Sequence, residues 1–103
     1  MVMVSVLYPN QPGSRFDERY YLDTHIPLVR RHWEPMGLTD LRLLRGTTAP
    51  DGGPAPYRVM ALLTFASAEA LGKASAAHGK EIFGDIPNFT DVRPVSQVNE
   101  ALA

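Results

Sequence analysis

The chain has 103 residues, 45% hydrophobic and 20% charged, and its ten basic and eleven acidic side chains leave a net charge of -1. That length makes one domain, 1–103, with one core, and near-balanced charge without a Lys/Arg run excludes the electrostatic footprint of a nucleic-acid binder. With no cysteine there is no disulfide framework, thiolate nucleophile or sulfur metal site.

Val2–Tyr8 is short, rich in valine and stopped by Pro9, which predicts a strand. Its apolar run, Met1–Leu7, has no charged residue ahead of it and is far shorter than the ~20 residues of a membrane span. A cytoplasmic protein with no membrane contact is expected. Pro9–Gly13 is a turn cluster, after which Ser14 is placed to cap a helix starting near Arg15. Pro27 lacks an N–H and disfavours helical geometry at Ile26, which predicts a change of direction beside His25, either as a kink or, the preferred reading, as a new short helix over Pro27–Trp33.

Leu41 and Leu43 alternate with Asp40 and Arg42, so Leu38–Arg45 is expected as a half-buried strand. Gly46–Pro56 holds three Gly and three Pro and reads as a long loop. Tyr57–Phe65 is almost continuously apolar, the pattern of a strand covered on both faces. Ser67 caps a helix from Ala68 to about Phe83, with Leu71, Ala74, Ser75, His78 and Ile82 as its inner stripe. Phe89–Val98 is expected as a last strand, and Pro94 in its middle confines it to a sheet edge or a bulge.

The order β-α-β-β-α-β is the split-βαβ plan of the ferredoxin-like α+β fold: a four-stranded antiparallel sheet with two helices on one face. The two apolar strands should be central neighbours. Both carry apolar residues on each face, for example Val4 and Val6 against Met3 and Leu7. Two helices can hide only one face, and soluble monomers rarely leave such a patch bare. A homodimer joined through the sheets is therefore expected, with a ligand-binding groove on that face as the rival explanation.

His25 is the leading candidate for chemistry, because its ordinary pKa near ~6.5 suits proton transfer at neutral pH. Tyr21 lies one turn before it. Asp23 could orient it only if the turn is distorted, since residues two apart face different sides of a helix. The competing reading is that Asp23 and His25 merely satisfy backbone groups freed at Pro27. Tyr20, Tyr8, Trp33 and His78 complete the candidate substrate-binding set as hydroxyl donors, wall and inward histidine. A metal site from His25, His32 and Glu34 lacks any HExxH-type spacing, and neither GxGxxG nor GxSxG occurs, so no metal or cofactor site is expected.

Phe16-Asp17 with Tyr20-Tyr21, His25 and Pro27-Leu28 resembles the first-helix signature of the EthD family of dimeric α+β barrels. Gly84–Asp91, followed by Pro94-Val95 and Gln97-Val98, resembles its carboxy-terminal signature. The resemblance implies a ferredoxin-like fold whose sheets pack as a dimeric α+β barrel. It also implies the family's oxidoreductase label, although similar barrels serve as cofactor-free cyclases, isomerases and monooxygenases on polyketide-like or aromatic substrates. Three readings are open: an enzyme of catabolic or secondary metabolism binding an apolar ligand, a non-catalytic metabolite-binding accessory protein for an oxygenase, or a purely structural dimer with no cavity near His25.

Overall fold

The computed structural model describes residues 1–103 as four strands and a set of helical segments. Strand β1 is Val2–Pro9, β2 is Leu38–Arg45, β3 is Tyr57–Phe65 and β4 is Val95–Asn99. They form one antiparallel sheet in the order β2-β3-β1-β4, with the two apolar strands central and paired, as expected. Helix α1 (Glu18–Tyr20) runs through a π turn at Tyr21–His25 into α2 (Ile26–Trp33), and α3 spans Ala68–Gly84. This is the ferredoxin-like α+β arrangement. No helix is long and apolar enough to cross a membrane.

The core lies between the helices and one sheet face. Val6 and Tyr8 of β1 and Val59, Ala61, Leu63 and Phe65 of β3 are buried there against Tyr21, Ile26, Val29 and Trp33, with Ala74 and Ile82 of α3. Trp33 fixes the two helices to each other: its indole Nε1–H donates to the Ala74 carbonyl at 2.9 Å. On the opposite face, Met3 and Leu7 pair across the strands with Thr64 and Met60, and these central side chains stay partly exposed.

Four local expectations are corrected. Ser14 does not cap the first helix; its hydroxyl donates to the Gln11 carbonyl, and Asp17 caps instead by accepting from the Tyr20 N–H at 3.0 Å. The start is delayed because Phe16 forms a β-bridge to Thr90 and the Asp17 N–H donates to the Phe89 carbonyl, which holds the chain extended. The short helix expected from Pro27 to Trp33 is present as α2, with the proline in its first turn, but no break precedes it. His25 and Ile26 both keep right-handed helical angles, and the Ile26 N–H reaches back five residues to the Tyr21 carbonyl. The widened turn inserts a residue ahead of the proline, accommodating a ring that would otherwise strike the preceding turn.

The third correction concerns α3, where Ser67 caps as expected, accepting from the Ala70 N–H. Its inner stripe, however, is centred on Ala74 and Ile82 with Gly79 beside them, and Ser75 is exposed. Fourth, the last strand begins at Val95 on the sheet edge, so Pro94 precedes it. Phe89–Val92 is pulled away from the sheet edge by a 3-10 turn over Ile86–Asn88 and by the link to Phe16.

Candidate functional site

The π turn and the end of α3 bring His25 and Asp85 together. His25 is 4% exposed, and its Nδ1 lies 3.0 Å from Asp85 Oδ2. The other carboxylate oxygen, Oδ1, accepts from the Tyr20 hydroxyl at 2.7 Å and from the Asn88 amide at 2.9 Å. Both oxygens of Asp85 are thus engaged, which holds the carboxylate against the imidazole. A carboxylate beside Nδ1 favours the tautomer with its proton on that nitrogen, leaving Nε2 free as a base. The imidazole is also held by aromatic rings, with Phe89 4.7 Å away and Tyr21 stacked at 5.7 Å between centroids.

Burial pushes the His25 pKa below the ordinary histidine value, outweighing the hydrogen bond and charge of Asp85, which act upward. Partial burial alone would raise Asp85, but the hydrogen bonds from Tyr20, Asn88 and His25 hold it below the usual carboxylate range. The pair at neutral pH is therefore a neutral imidazole beside an ionised carboxylate.

His25 lines a cavity of about 30 Å³ between α2, α3 and the sheet, shared with Tyr8, Tyr21, Val29, Trp33, Leu63, Ile82, Phe83 and Ile86 among others. That is room for about two water molecules, well under the ~300 Å³ at which small-molecule pockets usually begin. His25 is the one lining residue that is not hydrophobic; the remaining polar atoms belong to Tyr8, Tyr21 and Trp33. The Trp33 N–H is taken by Ala74, which leaves the two phenols. Burial raises both, for Tyr8 with a further push from neighbouring Tyr21, so both remain protonated hydroxyls. Phe83 and Ile86 also border an outer cleft of about 470 Å³ that runs past Pro87, Thr90, Arg93 and Ser96 towards β4.

The structure therefore gathers four of the residues singled out in the sequence, Tyr8, Tyr21, His25 and Trp33, around one cavity. Three others lie elsewhere. Asp23 does not orient His25; it points to solvent and pairs loosely with Arg19 at 3.8 Å, because even the π turn leaves residues two apart on different sides. Tyr20 turns to Asp85 and away from the cavity. His78 does not flank the cavity with His25 but stacks on His32 at 4.1 Å. Asp85, Asn88 and Phe89 carried no assigned chemistry in the sequence. No spacing rule connects position 25 to position 85, and the only signal was their place in the Gly84–Asp91 run.

The two signatures meet in space. Phe16 bridges to Thr90, the Asp17 N–H donates to the Phe89 carbonyl, and Tyr20 and His25 bond to Asp85. The model of the EthD domain matches residues 14–93, from the turn before α1 to just before β4. The chain belongs to the EthD family. Among solved structures this EthD protein is similar to an EthD-like protein of Ralstonia eutropha JMP134, at 35% identity and TM-score 0.89 over 99% of this chain and 92% of that one. It is also similar to an EthD family protein of Bacillus halodurans C-125, at 24% identity and TM-score 0.70 over 99% of both chains. More remotely it shares the fold of SnoaB, a cofactor-independent oxygenase from Streptomyces nogalater, at 12% identity and TM-score 0.59 over 99% of this chain and 92% of that one. No curated protein matches the sequence.

Proposed function

We propose that this EthD protein is a cytoplasmic enzyme of small-molecule metabolism that uses acid/base chemistry on an apolar or aromatic carbonyl or phenol. The observation that carries the reading is the 3.0 Å His25–Asp85 contact at the wall of an otherwise apolar cavity. His25 Nε2 takes a proton from the carbon beside a carbonyl, or from a phenol. Tyr8 and Tyr21 donate hydrogen bonds to the oxyanion that forms, in surroundings where water does not compete. The imidazolium then returns the proton to a different atom of the substrate, which completes an isomerisation or a cyclisation. The fold likeness to a cofactor-independent oxygenase supports a variant in which the deprotonated substrate reacts with dioxygen, an analogy of fold alone.

Ligand admission requires the cavity to widen, and Phe83, 46% exposed between cavity and outer cleft, is the side chain that would swing aside. The bare sheet face supports pairing with a second copy, which would bury Met3, Leu7, Met60 and Leu62 in a dimeric barrel. Sedimentation at micromolar concentration is expected to give a dimer; a clean monomer would remove that part of the proposal.

Solvent-deuterium exchange tests the chemistry without knowledge of the natural product. A panel of aryl ketones and 1,3-diketones is incubated in D₂O with the wild type, His25→Ala and Asp85→Asn, and α-deuteration is followed by NMR. The wild type should accelerate exchange for at least one ligand that binds, and His25→Ala should lose roughly 10²–10⁴-fold of that rate. Binding without exchange would favour the accessory reading, and equal exchange by His25→Ala would sink the role of His25.

A further inference from the structure

The second meeting of histidines between α2 and α3 lies apart from the cavity. We propose that His32, His78 and Glu81 form a binding site for a divalent transition-metal ion of the zinc class, joining the two helices. The inference is independent of the chemistry assigned to His25. One potential ligand atom from each of the three residues lies within 4.8 Å of the other two. His78 and Glu81 are three residues apart on α3 and therefore share a helix face, and His32 meets that face from α2 with its ring stacked on His78 at 4.1 Å.

Two details point to a shared ion rather than to ordinary side-chain pairing. His32 Nε2 is shut off from solvent yet has no hydrogen-bond partner, and a buried polar atom left in that state is costly. Glu81 Oε2 is only 3.3 Å away, but the two atoms are not directed at each other as donor and acceptor. Zinc bonds of about 2.0–2.1 Å arranged tetrahedrally place adjacent ligand atoms about 3.4 Å apart, close to the 3.3 Å between His32 Nε2 and Glu81 Oε2, and the His78 nitrogen lies within 4.8 Å of both. Nitrogen and carboxylate donors in this mixture suit zinc, and nickel or copper by the same ligand preference. With three protein ligands, the fourth position is left to water. Glu81 is more than half exposed and His32 partly so, so an ion can reach the site from solvent.

The chain has three histidines, which makes the assignment easy to test. Tag-free protein is titrated with Zn²⁺ by calorimetry and by competition with a chromogenic chelator, alongside His78→Ala, Glu81→Gln and His25→Ala. The intact chain should bind one Zn²⁺ per subunit. His25→Ala should bind it equally well. His78→Ala should bind it more weakly by more than the ~10–100-fold that loss of even an outer hydrogen-bond partner costs a metal site, and Glu81→Gln should bind more weakly too. His78 and Glu81 sit at least partly exposed on α3, so these variants are expected to fold, and circular dichroism checks that they do. Absence of Zn²⁺ binding by the intact chain, affinity unchanged in His78→Ala, or affinity lost in His25→Ala would each overturn the site.

Discussion

Helices α2 and α3 enclose histidines at two places that are satisfied in opposite ways. At His25 every polar partner comes from the protein: Asp85 takes Nδ1, and Tyr20 and Asn88 hold Asp85 in turn. At His32 the ring nitrogen is buried and has no hydrogen-bond partner, with a carboxylate close by but misdirected. The difference separates a preset base from a set of donors awaiting something from outside. A closed network fixes the tautomer and leaves one nitrogen with a defined task. An open one keeps the cost of an unmade bond until a cation supplies it.

The strongest way to break this contrast is to remove the ring that keeps the first histidine dry. Phe89 is fully buried and packs on Tyr8, Phe16, Tyr21 and His25. Phe89→Ala should cost roughly 3–5 kcal/mol in urea unfolding, the usual range for a buried phenylalanine. Water admitted to the gap should also bring His25 back towards its ordinary pKa, visible in an NMR titration of the imidazole. A variant that loses little stability and leaves the imidazole titration in place would mean that Phe89 neither supports nor dries His25.

Much of this neighbourhood was legible in the sequence, and the limits have physical causes. Strands β2 and β3 follow from alternation and apolar content alone, and their ends fall where Gly46 and Ser67 change the backbone requirement. Gly46 has a reason beyond its loop: a Cβ there would sit 2.0 Å from the Tyr57 carbonyl oxygen, so no other residue fits without backbone movement. His25, Tyr21, Tyr8 and Trp33 were identifiable because each is an amphipathic or titratable side chain within an apolar pattern. The partner of His25 was not, since Asp85 lies 60 residues away and is brought in by tertiary packing. Local reasoning offered Asp23 in its place, the nearest carboxylate in the chain and the wrong one in space. Pro27 follows the same logic. Helix breaking by proline is a rule for a regular α-helix, and a single π turn ahead of the ring lets helical backbone run on into α2.

A smaller effect, in stability against pH, distinguishes the two forces acting on His25. In the folded protein its pKa lies below the ordinary value because burial outweighs Asp85. The unfolded chain then binds the histidine proton more readily than the folded one. Stability rises with pH wherever the unfolded state carries more protons, so this group's contribution is complete above about pH 6.5–7 and is lost as pH falls through the folded pKa. Asp85, also lowered, adds a loss of the same sign at more acidic pH, below about 4. Urea midpoints of the wild type should therefore drop between pH 7.5 and 5 (a working range set by the ~6.5 reference pKa) by more than those of His25→Gln, whose uncharged side chain removes the histidine contribution. The comparison between the two proteins cancels the groups that do not touch His25, and Asp85, which does, titrates below this range. If acid instead stabilises the wild type relative to His25→Gln, the imidazolium–Asp85 attraction dominates burial, and the dry neutral base described here is a charged pair at rest.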